Sequence, residues 1–276
     1  MTAIPSTVKR LRAPDGAAIE YEILGSGEPL VMLHGTFVGR RAFSRQRELA
    51  ERYRLVLVSA RGHDNSELLI PRDYGLATTE KNDVHAVAEA EGLKRFSLLG
   101  HSTGGAVAFA YCREFPERVK RLILIEPTMV ALLPPAGRSD IAASWGRLIG
   151  IGLLEGAPNA LRALMDFLGG PAWAALDDHK RAAALDAMAS LAPLVVPNLL
   201  AVMGFKVSEA DVRGLQVPVL LIYGDASFPF EALLASQFRE LRPDWPILIA
   251  KGASHSCFRE QPALVNATIK DFLSGD

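Results

Sequence analysis

The chain has 276 residues, 49% of them hydrophobic and 22% charged, with 30 Lys and Arg against 31 Asp and Glu for a net charge of −1. That length and apolar content predict one large α/β domain with room for an inserted subdomain, and they argue against disorder. The balanced charge lacks the basic stripe that nucleic acid or an anionic membrane surface demands, and the stretch Lys9, Arg10, Arg12 is too short to supply one.

The N-terminal residues Met1 to Ser6 carry no apolar signal-like run, and no stretch of about 18 apolar residues occurs that would span a membrane. Cys112 and Cys257 read as two reduced thiols. The six histidines do not cluster with them at metal spacing, so no metal is expected. The expectation is a cytoplasmic chain without nucleic-acid or membrane partners.

Along the chain, short apolar runs alternate with helix-length segments, the rhythm of a mostly parallel sheet. Ile19-Glu20-Tyr21-Glu22-Ile23 alternates and predicts one arm of an antiparallel edge hairpin. Leu30 to Leu33 and Leu55 to Val58 follow as continuous apolar runs, the mark of strands buried on both faces. A helix is predicted from Thr78 to Glu91, stopped by Gly92. Phe96 to Leu99 is the next strand, and an Ala-rich helix from Ser102 to Phe115 ends at Pro116.

Leu122 to Ile125 is a further strand. Beyond it, residues 127–213 hold Pro, Gly and apolar helical segments such as Ala160 to Leu168 and Arg181 to Leu191, with no clear strand. This region reads as a helical cap inserted into a core made of residues 1–126 and 214–276. Val219 to Ile222 and Ile247 to Ile249 complete the strands, and Gln261 to Leu273 is the closing helix, with Pro262 at its start.

Gly100-His101-Ser102-Thr103-Gly104 lies between a strand and a helix, the context that gives a G-x-S-x-G pattern chemical meaning. A serine on so tight a bend has an exposed hydroxyl, and the helix behind it favours negative charge on a substrate oxygen. Ser102 is the candidate nucleophile, and His101 is assigned no catalytic role. The loop His34-Gly35-Thr36-Phe37 ends an earlier strand, so the N–H of Thr36 can join that of Thr103 to hold an oxyanion. His34 is read as structural. His63, His85 and His179 read as solvated surface, and His255, late and at a strand's end, is the candidate base.

Together, His34-Gly35, Arg61-Gly62-His63, Gly100 to Gly104 and Gly252-Ala253-Ser254-His255 resemble the α/β-hydrolase fold superfamily. The resemblance runs from about residue 15 to the C-terminus. It implies a mostly parallel eight-stranded sheet flanked by helices, a helical cap after the sixth strand and hydrolysis through an acyl-serine without a cofactor. Asp64 stands where many relatives carry a second glycine, a departure that a left-handed turn tolerates. In many relatives the acid lies three residues after the glycine ending the seventh strand. Here that position is Ser227, and Asp225 comes two residues early. Other branches place the acid at the end of the sixth strand, where this chain has Glu126. Glu126 is the favoured triad acid and Asp225 the alternative.

The expected substrate is a small or medium apolar ester or lactone. Leu132, Leu133, Trp145, Leu148, Leu153, Met165, Phe167 and Trp173 are candidates to line an apolar chamber or to pack the cap helices. The rival readings are a cofactor-free haloperoxidase-like perhydrolase, a carbon–carbon bond hydrolase and a low-turnover ligand receptor. Oligomeric state is left open.

Overall fold

A computed structural model describes residues 5–168 and 173–275 of the chain. Each apolar run lies in a strand: β1 (Ser6–Arg12), β2 (Ala18–Leu24), β3 (Glu28–Leu33), β4 (Tyr53–Val58), β5 (Phe96–His101), β6 (Val119–Ile125), β7 (Val219–Gly224) and β8 (Ile247–Ala250). They form one eight-stranded sheet in the order β1-β2-β4-β3-β5-β6-β7-β8. β2 pairs antiparallel with β1 and β4, and the pairings from β4 to β8 are parallel. β1 carries no apolar run because it is an exposed edge, with Lys9 and Arg10 reaching Glu91 Oε1 and the Asn65 carbonyl from it.

Side chains alternate across the sheet with a period of two and feed two cores. Val31, Leu33, Val56, Leu98, Leu122 and Leu124 join one, packed against the helices Lys81–Ala90, Thr103–Glu114 and Pro229–Leu241. Leu30, Met32, Leu55, Leu99, Ile123 and Ile222 join the other, beneath Phe43, Phe258 and the helix Pro262–Ser274. Truncating one such leucine to alanine costs about 2–5 kcal/mol. A π-helical turn, Leu76–Glu80, precedes Lys81–Ala90 where one continuous α-helix is predicted.

Between β6 and β7 the described residues are helical, in Pro135–Glu155, Ala157–Leu168, Asp178–Ala187, Val195–Gly204 and Glu209–Gly214. Leu132, Leu133, Trp145, Leu148 and Trp173 are buried there. Leu153 is not: it is 72% exposed, which removes it from the expected chamber lining. Five residues beyond buried Leu148, it is rotated by roughly 140° to the other side of the helix. Among the described residues, no single helix is long and apolar enough to cross a membrane. Cys112 and Cys257 are free and buried.

Candidate active site

The central strands of this sheet end together, and their C-terminal edge is where an open α/β sheet receives ligands. β5 delivers Ser102 to that edge with φ 55° and ψ −121°, in the left-handed region that side chains other than glycine rarely adopt. The strained turn is held by its backbone, with Ser102 N–H donating to the Ile125 carbonyl at 2.9 Å and Gly105 N–H to the Ser102 carbonyl at 2.9 Å. A Cβ on Gly104 would meet the Leu33 carbonyl oxygen at 2.4 Å, so β3 presses against the bend only because that position is glycine. Ser102 Oγ pairs with Thr128 Oγ1 at 3.1 Å.

The loop after β3 abuts the same serine. A Cβ on Gly35 would lie 2.9 Å from Ser102 Cβ, so this glycine sets how closely Thr36 approaches. Two histidines fix the loop. His34 Nε2 accepts from Ala60 N–H at 3.0 Å, which leaves its Nδ1–H to donate to the Gly35 carbonyl at 2.7 Å. His63 Nε2 accepts from Phe37 N–H at 2.9 Å, and its Nδ1–H donates to the Arg61 carbonyl at 3.0 Å. Both rings are buried, and burial lowers both pKa values, that of His34 to about 3, so they are neutral acceptors at ordinary pH.

The placement of His63 corrects its reading as solvated surface. Its loop folds inward because buried Arg61 beside it is clamped by Asp15 and Asp83. His179 is exposed as read, and His85 is half-buried and stacked on Phe115. With Phe37 N–H committed to His63, Thr36 is the loop residue whose N–H is the candidate oxyanion donor, beside Thr103 in the first, orphan-donor turn of the helix Thr103–Glu114. Their side chains are joined: Thr36 Oγ1 donates to Asn198 Oδ1 at 2.8 Å and so accepts from Thr103 Oγ1 at 2.9 Å. Asn198 comes from the helices between β6 and β7, and nothing in its apolar sequence surroundings singles it out.

At the end of β6, Glu126 is fully buried and has φ 43°. Its Oε1 accepts from Gly224 N–H at 2.7 Å, and its Oε2 accepts from Ser227 Oγ and His255 Nδ1, both at 2.5 Å. Asp225 is exposed, and its carboxylate accepts from Gly252 N–H at 2.5 Å across the neighbouring turn. Of the two carboxylates weighed from sequence, Glu126 is the one in contact with the imidazole.

His255 lies between His101 and Phe228, with ring centroids 4.7 and 5.2 Å away. His101 Nε2–H donates to the His255 carbonyl at 3.0 Å. Burial pushes the His101 pKa well down, and this neutral ring is packing beside the bend. With Nδ1–H directed at a carboxylate, His255 Nε2 carries the free lone pair that a general base needs.

One group near His255 has no sequence signal at all. Glu231, in the first turn of Pro229–Leu241, is fully buried, with Oε1 3.8 Å from His255 Nδ1 and neither oxygen hydrogen-bonded. Ligand atoms of Glu126, Glu231 and His255 lie within 4.8 Å of one another. Tetrahedral zinc ligands at about 2.1 Å from the metal stand about 3.4 Å apart. The 2.5 Å between His255 and Glu126 is therefore a hydrogen-bond separation, not that of two ligands on one ion.

Comparison with known proteins agrees with this architecture. A 2-hydroxy-6-oxo-2,4-heptadienoate hydrolase of Pseudomonas putida is 25% identical over 248 residues, covering 85% of each chain. Lipase 3 of a Moraxella species is 31% identical over 102 residues, 37% of this chain and 32% of that one. The crystal structure of an esterase from a Rhodococcus species superposes with a TM-score of 0.72 at 26% identity, covering 97% of this chain and 98% of that one. The relatives are hydrolases. The model of the alpha/beta hydrolase family matches residues 30–268, which take in the six strands from β3 onward and both sides of the site, and the chain belongs to that family.

Proposed function

We propose that the chain is a serine hydrolase that cleaves a small or medium apolar carboxylic ester or lactone through an acyl-serine intermediate. The observation that carries this reading is the His255–Glu126 pair at the sheet edge where strained Ser102 stands. In the proposed cycle, His255 Nε2 takes the Ser102 proton as Oγ attacks the substrate carbonyl. The oxyanion is held by the N–H groups of Thr36 and Thr103. Glu126 holds the Nδ1 tautomer and stabilises the imidazolium, which then protonates the leaving alcohol. Water, deprotonated by His255, then attacks the acyl carbon, and the imidazolium returns that proton to Ser102 Oγ as the acyl–Oγ bond breaks and the acid leaves.

Residues 127–213 act as a cap over this edge, a reading supported by the Asn198–Thr36 hydrogen bond and by Phe167 stacked on Phe228 at 6.2 Å. The apolar side chains of these helices favour an apolar substrate. The test is turnover of nitrophenyl esters of graded chain length by wild type and Ser102→Ala. Loss of at least about 10⁴-fold in the variant is the expected result. Undiminished turnover in Ser102→Ala contradicts the proposal.

A second reading is cleavage of a carbon–carbon bond, favoured by the length over which the Pseudomonas putida relative matches. A vinylogous 1,5-diketone separates the two: turnover of that substrate without turnover of any ester selects the carbon–carbon reading.

A further inference from the structure

Glu231 has no conventional explanation. Acidic residues are common in the first turn of a helix, where they meet the positive end of the dipole, but they do so in solvent. Here the side chain is fully buried, and neither carboxyl oxygen has a hydrogen-bond partner. A buried polar group without partners is costly and rare in a folded protein. It also stands in a particular place, four residues after Ser227, which donates to Glu126, and 3.8 Å from the same His255 nitrogen that Glu126 engages.

The groups facing Glu231 are few. Glu126 comes from the end of β6, Tyr223 from β7, and His255 and Cys257 from the segment after β8. The Tyr223 hydroxyl is likewise buried without a partner. No cation balances a second negative charge in this set, and His255 can neutralise only one carboxylate at a time. Burial, reinforced by the charge of Glu126, pushes the Glu231 carboxyl well above the ordinary carboxylate range, so it is held as the neutral acid.

From this geometry, and resting on the serine-hydrolase reading, we infer that Glu231 is a reserve positioning residue for His255, a second carboxyl that orients the imidazole when Glu126 carries no charge. The exchange keeps one negative charge in the cluster and releases one proton to solvent. When Glu126 is replaced by a neutral side chain, one negative charge leaves the buried cluster and the repulsion on Glu231 is relieved. Glu231 then loses its proton to solvent and accepts the Nδ1–H of His255. A side-chain shift of roughly 1 Å brings its Oε1 from 3.8 Å to hydrogen-bond distance. Two carboxyl groups at one imidazole thus alternate in a single charge, as coupled acids a few ångströms apart do.

The experiment compares kcat/KM and its pH profile in wild type, Glu126→Gln, Glu231→Gln and the double variant, with melting temperatures recorded for all four. The expected result is a loss of about 10²-fold in Glu126→Gln, about 10⁴-fold in the double variant, and less than about 3-fold in Glu231→Gln alone. Residual activity of Glu126→Gln rises with pH as Glu231 ionises, and the second substitution abolishes that rise. A Glu126→Gln, Glu231→Leu variant repeats the comparison with an apolar group at 231.

Equal activity in Glu126→Gln and both double variants overturns the inference, as does a loss in Glu231→Gln alone as large as that in Glu126→Gln. The nucleophile is scored separately, by fluorophosphonate labelling of Ser102 in wild type. Failure of the reserve effect with labelling intact falls on Glu231 alone.

Discussion

The ends of β6 and β7 lie side by side at the same sheet edge and offer carboxylates of opposite character. Glu126 closes β6 in a left-handed backbone conformation, wholly buried, where a backbone N–H, a hydroxyl and an imidazole converge on it. Asp225 follows β7 on an exposed turn and ties that turn to Gly252. What distinguishes them is not reach along the chain but the supply of donors. A carboxylate is kept buried where three donors point at it, and β7 with the turn after it contributes Gly224 N–H and Ser227 Oγ toward its neighbour's acid instead of an acid of its own. The position three residues after the strand-ending glycine still takes part, through a hydroxyl that donates to Glu126.

This contrast breaks first on the two carboxylates. Glu126→Gln is expected to lower kcat/KM by about 10²-fold or more, because the His255 tautomer loses its partner. Asp225→Asn keeps activity within about 3-fold and lowers stability by about 1 kcal/mol through its turn. Urea unfolding and ester kinetics on both variants measure the two effects together. Next in size is Ser227→Ala, which removes a hydroxyl donor from Glu126 while leaving Gly224 in place. A loss of about 10-fold in kcat is expected, and full activity would show the hydroxyl to be dispensable.

An effect on stability rather than on turnover concerns a second buried acid, Glu80, which lines a small cavity with His34, Ala60 and Gly104. Glu80 accepts from the Tyr74 hydroxyl, and burial pushes its carboxyl up to about 7. The folded chain therefore binds a proton there that the unfolded chain, with a carboxyl at its ordinary 4.5, does not. The stability contributed by that proton is complete below 4.5 and is lost as pH rises through about 7. Glu80→Gln should flatten the slope, measured as urea midpoints at about pH 5 and about pH 8, by on the order of 2 kcal/mol.

The strands from β2 to β8, the strand–serine–helix order and the helical segment after β6 are legible in the sequence, because burial writes apolar patterns and so tight a bend needs its glycines, whereas β1, an exposed edge, has no such pattern. The choice between Glu126 and Asp225 is only partly legible: a glutamate ending an apolar strand signals a partner, but the donors that gather around it come from residues about a hundred positions later. His63 and Glu231 illustrate what cannot be read. Each sits in a local context that ordinarily faces solvent, a polar loop and the first turn of a helix. Each is buried by contacts far away in the chain, with Phe37 for one and the His255 cluster for the other.

The central claim is that Ser102 is the attacking atom's residue. Mass-spectrometric mapping of the adduct formed with a fluorophosphonate tests it most directly. The predicted result is one adduct, on Ser102, that disappears in Ser102→Ala. An active wild-type chain whose adduct lies on another residue, or that forms none, contradicts the account.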